Sequence, residues 1–154
     1  MAFAIIMILY VGIGTLSAVG SMYLTHRFVP ARFESSVYGL FLIPIATFYL
    51  AFTSYFGDAT AWSLEMAALI GFTILGGLGT RLPVVLAVGY ALHGVWDLLH
   101  ESHAHVGSDI FEGRQFTQIP LAYGAFCATY DWAMVMYFLY RRGQWIAAWA
   151  SRAG

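Results

Sequence analysis

Four of the chain's five histidines and two of its eight acids fall within HGVWDLLHESHAH, residues 93–105. His93, Asp97 and His100 are spaced i, i+4, i+7, and Glu101 follows Asp97 by four, so on a helix they share one face. Tyr123, Cys127 and Asp131 repeat the pattern at i, i+4, i+8. Glu65 is a further acid within an apolar run. Imidazoles and carboxylates on converging faces are ligands for a divalent cation, here zinc or iron. The expected ligands are His93, Asp97, His100, Asp131 and Glu65, with Glu101 or Asp131 as general base. His93 with Asp97 alone could instead be a buried hydrogen-bonded pair that fixes helix packing, and the addition of His100 and Asp131 favours a functional site.

The surroundings make this chemistry costly. The chain has 154 residues, 60% hydrophobic and 10% charged, with a mean hydropathy of +0.72. Soluble domains carry about 25% charged residues, and the apolar residues here come in long runs without alternation, as in bilayer spans. Each carboxylate near the bilayer centre costs ~2.5–3.5 kcal/mol, so Asp97, Asp131 and Glu65 together cost ~8–10 kcal/mol if unpaired and fully immersed. No lysine occurs, and none of the seven arginines falls inside an expected span. What remains to neutralise the acids is imidazolium, protonation or a metal ion. The missing lysine also excludes an amine nucleophile and Schiff-base chemistry, and the single Cys127 excludes an internal disulfide. No basic stripe suggests nucleic acid.

The expected architecture is an all-α integral membrane protein, one five-transmembrane-helix bundle. Its spans run over about 2–24, 37–56, 60–79, 82–103 and 120–140, each near the ~20 residues that cross a bilayer. Segment 25–36 reads as a polar loop, and 57–60 and 80–83 as tight turns. The longest connection is 104–119, and 141–154 reads as an interfacial tail with Trp145 and Trp149 at headgroup depth. Pro83 and Pro120 suit first-turn helix positions. Arg27, Arg32, Arg81, Arg141, Arg142 and Arg152 fall on one side and Arg114 on the other, which puts the N-terminus outside and the C-terminus in the cytoplasm. Residues 93–105 then face the exterior or periplasm. Glycines on the first and third spans suit close helix packing.

H-G-V-W-D-L-L-H-E at 93–101 and F-C-A-T-Y-D at 126–131 resemble the H-x-x-W-D-x-x-H and F-C-x-x-x-D signatures of a family of small, uncharacterised bacterial multi-pass membrane proteins. The resemblance covers the last two spans. It implies that His93, Asp97, His100, Cys127 and Asp131 belong to one site in a bacterial inner membrane, and it brings no reaction. Where a second histidine often follows in that pattern, this chain has Glu101.

Three functions fit these residues. The first is a metal-dependent enzyme, a hydrolase with zinc or an oxidase with iron, acting on a membrane lipid or small apolar molecule from the outer leaflet. The second is an accessory or assembly subunit that holds a metal, haem or pigment, with partner membrane subunits or copies of itself. The third is a proton or ion relay through Asp97, Asp131 and Glu65.

Overall fold

The long apolar runs of the sequence are helices. The computed structural model describes residues 1–106 and 116–151, without the side chains of His105 and Val106. Arg114, Arg152 and most of the 104–119 connection therefore lie outside the described residues. Within these bounds the chain is all-helical: α1 (Ala2–Phe28), α2 (Ala31–Phe56), α3 (Trp62–Gly79), α4 (Pro83–Val106) and α5 (Tyr123–Ala150). Among the described residues, α1, α2 and α3 are long and apolar enough to cross a membrane. Large side chains such as Ile8, Leu16 and Met136 point outward, an arrangement suited to a lipid rather than an aqueous surround.

The first connection is much shorter than the expected 25–36 loop. Val29 is extended (φ −109°, ψ 125°) because the ring of Pro30 bars the residue before it from the helical region. Helix resumes at Ala31. Residues 31–36 thus form the first turns of α2, with Glu34 and Ser35 buried. Gly57 ends α2 at φ +74°, a left-handed cap that suits glycine.

α2 and α3 lie against each other where Gly39 meets Gly76, and a Cβ on either would strike the other's carbonyl oxygen. α1 is apolar all round, and Gly14 and Ala18, four apart, are its buried positions. A Cβ on Gly14 would come within 2.5 Å of the Phe126 carbonyl oxygen, so α1 rests directly on α5. α5 also packs along α4, whereas α1 meets α2 chiefly near Tyr38, whose hydroxyl donates to the Ser21 carbonyl (3.2 Å). Leu42, Leu86, Tyr90, Met134 and Phe138 form the shared core.

Pro83 opens α4 as expected, but Pro120 does not open α5. Residues 116–120 are irregular, Ala122 turns left-handed at φ +61°, and the helix begins at Tyr123. The left-handed turn at a non-glycine residue costs about 1–2 kcal/mol. It is offset by Glu101, whose carboxylate accepts the N–H groups of Ala122 (3.1 Å) and Gly124 (2.8 Å).

The C-terminal tail is no separate interfacial helix, since α5 continues unbroken to Ala150. Trp145 is fully buried and donates its indole N–H to Glu34 (2.8 Å). Arg141 grips the same carboxylate through two nitrogens, at 2.6 and 3.1 Å. A bidentate ion pair thereby ties the start of α2 to the end of α5.

Candidate metal centre

α4 presents His93, Asp97 and His100 to the bundle interior, and all three are buried. α5, antiparallel beside it, brings Asp131 level with His93. Nδ1 of His93 lies 2.7 Å from Asp131 Oδ2. Asp97 Oδ2 stands 3.3 Å from the same nitrogen without the alignment of a hydrogen bond. Ligand atoms of His93, Asp97 and Asp131 all fall within 4.8 Å of one another. Two carboxylates therefore converge on one edge of one imidazole, inside the protein.

The residues expected around one ion do not all meet there. His100 turns to α3, placing Nε2 2.8 Å from Glu65 Oε1, while its Nδ1 donates to the Trp96 carbonyl (2.9 Å). Trp96 also donates to Glu65 (3.4 Å). His93 and His100 are separated by ~10 Å along the helix axis, and Tyr49 of α2 stands between them. Its ring centroid is 4.1 Å from that of His100 and 6.0 Å from that of His93. Its hydroxyl donates to Asp97 Oδ1. His100 and Glu65 thus form a second pair and leave the ligand set.

Glu101 is not beside the three-residue group either. It is buried, and its carboxylate holds backbone at the start of α5, which replaces the expected base with an anchoring role. Cys127 and Tyr123 are on the α5 face that carries Asp131, lining a cavity beside the group. His103 sits near Phe116 at the end of α4, and the His105 side chain lies outside the described residues.

Charge bookkeeping separates the two groups. In the His100–Glu65 pair Nδ1–H is committed to a carbonyl, so a single proton shared between Nε2 and the carboxylate leaves the pair neutral overall. His93, Asp97 and Asp131 need more than one shared proton: either a second proton on one of the acids or a cation. With the imidazole protonated and both acids ionised, one negative charge remains, and the buried arginine Arg141 is committed to Glu34. Asp97 Oδ2 and His93 Nε2 are buried without hydrogen-bond partners among the described residues. A buried polar atom left in this state costs about 1–3 kcal/mol. A divalent cation bound by neutral imidazole and two carboxylates cancels the charge and gives the idle oxygen a partner. The donor set, one nitrogen and two carboxylates, suits zinc or ferrous iron.

Tyr49 is the participant that the sequence did not disclose. Leu42, Ala46, Tyr49 and Thr53 form a buried stripe on α2 with spacing i, i+4, i+7, i+11, the signal that would have placed Tyr49 inward. The Glu34–Arg141 pair was hidden because Glu34 lies in a polar stretch next to Arg32, Ser35 and Ser36.

No protein-family model matches this chain, and neither a curated protein nor a solved structure is similar to it.

Proposed function

We propose that the protein is a metal-dependent membrane enzyme whose single divalent ion, zinc or iron, is held by His93, Asp97 and Asp131. The observation that carries this reading is the convergence of two buried carboxylates on one imidazole, with ligand atoms within 4.8 Å and, among the described residues, the buried arginine Arg141 already committed to Glu34. Burying both acids near the bilayer centre is expensive unless a cation resides there. Three protein ligands leave coordination positions open, the pattern of catalytic rather than structural sites.

When bound, such an ion supplies Lewis acidity and an activated water or a site for dioxygen. The chain's own groups then have distinct tasks. Tyr49 orients Asp97 through its hydroxyl, as outer-shell donors do for metal-binding carboxylates. The two acids compensate the charge of the ion. The surrounding rings of Tyr49 and Phe72 keep bulk water out. The substrate class is a lipid or small apolar molecule, in keeping with a site enclosed by helices of which three are apolar enough to lie in a bilayer. The proposed placement is a bacterial inner membrane crossed by all five helices, N-terminus outside, with the site in the outer half.

Elemental analysis of detergent-purified protein tests this. Wild type should carry close to one equivalent of zinc or iron, and His93→Ala should lose it. A wild type free of metal after purification without chelators would overturn the reading.

A further inference from the structure

A cavity of about 340 Å³ adjoins His93 and Asp131. Phe41, Ile45 and Phe48 of α2 and Phe126 of α5 make apolar walls, and His93 and Asp131 form its polar end. Ser17 and Ser21 of α1 and Tyr130 of α5 add hydroxyl groups. The cavity is not closed on all sides. α1 leans on α5 and is joined to α2 near Tyr38, whose hydroxyl donates to the Ser21 carbonyl (3.2 Å), while the wall residues Phe41 and Phe48, farther along α2, are 45% and 48% exposed. The gap between α1 and α2 therefore leads from the site to the outer surface of the bundle. Both helices are apolar enough to lie in a membrane, so the gap opens on lipid.

The lining selects a ligand. Its aromatic and aliphatic walls favour a hydrocarbon. Its volume equals about eleven water-sized groups at ~30 Å³ each, enough for one chain and too small for a two-chain lipid. None of its described lining residues is an arginine, so with the charge of the proposed ion already matched by the two acids, an anionic head would find no further counter-charge. Tyr130 is only 8% exposed, and its hydroxyl is buried without a hydrogen-bond partner among the described residues. An uncharged oxygen would satisfy that hydroxyl.

We propose that this cavity is a lateral binding site for an uncharged single-chain amphiphile bearing one hydroxyl or carbonyl oxygen. The tail lies among Phe41, Ile45, Phe48 and Phe126 and leaves between α1 and α2. The oxygen is directed toward His93, Asp131 and the Tyr130 hydroxyl. The preference for an uncharged head rests on the metal reading above, because without an ion the two acids would instead favour an amine.

The test uses the full chain in lipid nanodiscs, a photoreactive diazirine analogue of decan-1-ol, and mapping of the labelled peptides by mass spectrometry. Label should concentrate on residues 41–48 and 123–130, and excess decan-1-ol should reduce it at least tenfold. Decylamine and decyl phosphate should compete poorly. Ile45→Trp, which fills the cavity, should lower labelling to background and leave metal content unchanged. Label spread evenly over the outward faces of α1 and α3 would overturn the site. Stronger competition by decylamine or by decyl phosphate would overturn the uncharged head. Metal analysis of the same samples separates the two proposals: focused label on metal-free protein defeats the metal reading and the argument for an uncharged head but keeps the cavity, and metal-loaded protein with diffuse label defeats the cavity alone. Should Ile45→Trp fail to fold, competition in the wild type still decides.

Discussion

Tyr49 of α2 donates its hydroxyl to Asp97 of α4, and in doing so divides the buried imidazoles into two groups. Its ring lies against His100, which it separates from His93, and its oxygen fixes the carboxylate that faces His93. One side chain thus shapes the His93–Asp97–Asp131 group proposed to hold a metal and keeps the second histidine apart from it.

Removal of that hydroxyl is the most specific perturbation of the site. Tyr49→Phe keeps the ring between the histidines and deprives Asp97 Oδ1 of its donor. Outer-shell losses of this type weaken metal binding about 10–100-fold. Competition titration against a chelator should show this drop while the helical content stays at the wild-type level.

Glu101→Gln addresses the anchoring role. The carboxylate accepts two backbone N–H groups where Ala122 turns left-handed. Hydrogen bonds to a charged group contribute about 1.5–3 kcal/mol, and the variant should lose stability of that order. Its metal content should remain that of wild type. Loss of metal in Glu101→Gln would restore this residue to the centre.

At the opposite end of the bundle, Glu34→Gln should unfold far more readily, because it leaves the buried Arg141 guanidinium without its partner. Breaking one side of a buried pair costs about 3–5 kcal/mol. Thermal unfolding in detergent of Glu34→Gln, Arg141→Met and the double variant should show the double variant losing less than the sum of the singles.

Much of the site was legible in the sequence, and the reasons are physical. His93, Asp97 and Asp131 stand out because carboxylates within apolar runs demand a partner, and helical periodicity places His93 and Asp97 on one face. The departure of His100 was not legible. Residues i and i+7 share a face but lie ~10 Å apart along the axis, and what fills that interval comes from α2. Among ten tyrosines, Tyr49 is marked only by its place in the Leu42–Ala46–Tyr49–Thr53 stripe, which sets it inward without naming its partner. Of the fold, the five helices followed from the apolar runs. The shape of the 25–36 segment did not, because its polar residues read as loop although Glu34 is neutralised by a residue 107 positions away.

The glycines allow a matched comparison. Gly76 has the Gly39 carbonyl where its Cβ would stand, whereas a Cβ on neighbouring Gly77 meets nothing within 4 Å. Gly76→Ala should destabilise the α2–α3 contact by about 1–3 kcal/mol through overpacking. Gly77→Ala should be neutral or stabilising by up to about 1 kcal/mol. Unfolding midpoints of the two variants measured side by side check the predicted order.

The proposed centre is one ion held by one imidazole and two carboxylates. X-ray absorption at the metal edge of the purified, unmodified chain reads this set directly. The expected spectrum shows a first shell of nitrogen and oxygen only, at about 2.0–2.2 Å, with the outer-shell scattering of a single imidazole. Two imidazoles, which would bring His100 back into the set, would contradict it. So would a sulfur ligand at about 2.3 Å from Cys127, or protein that carries no metal at all.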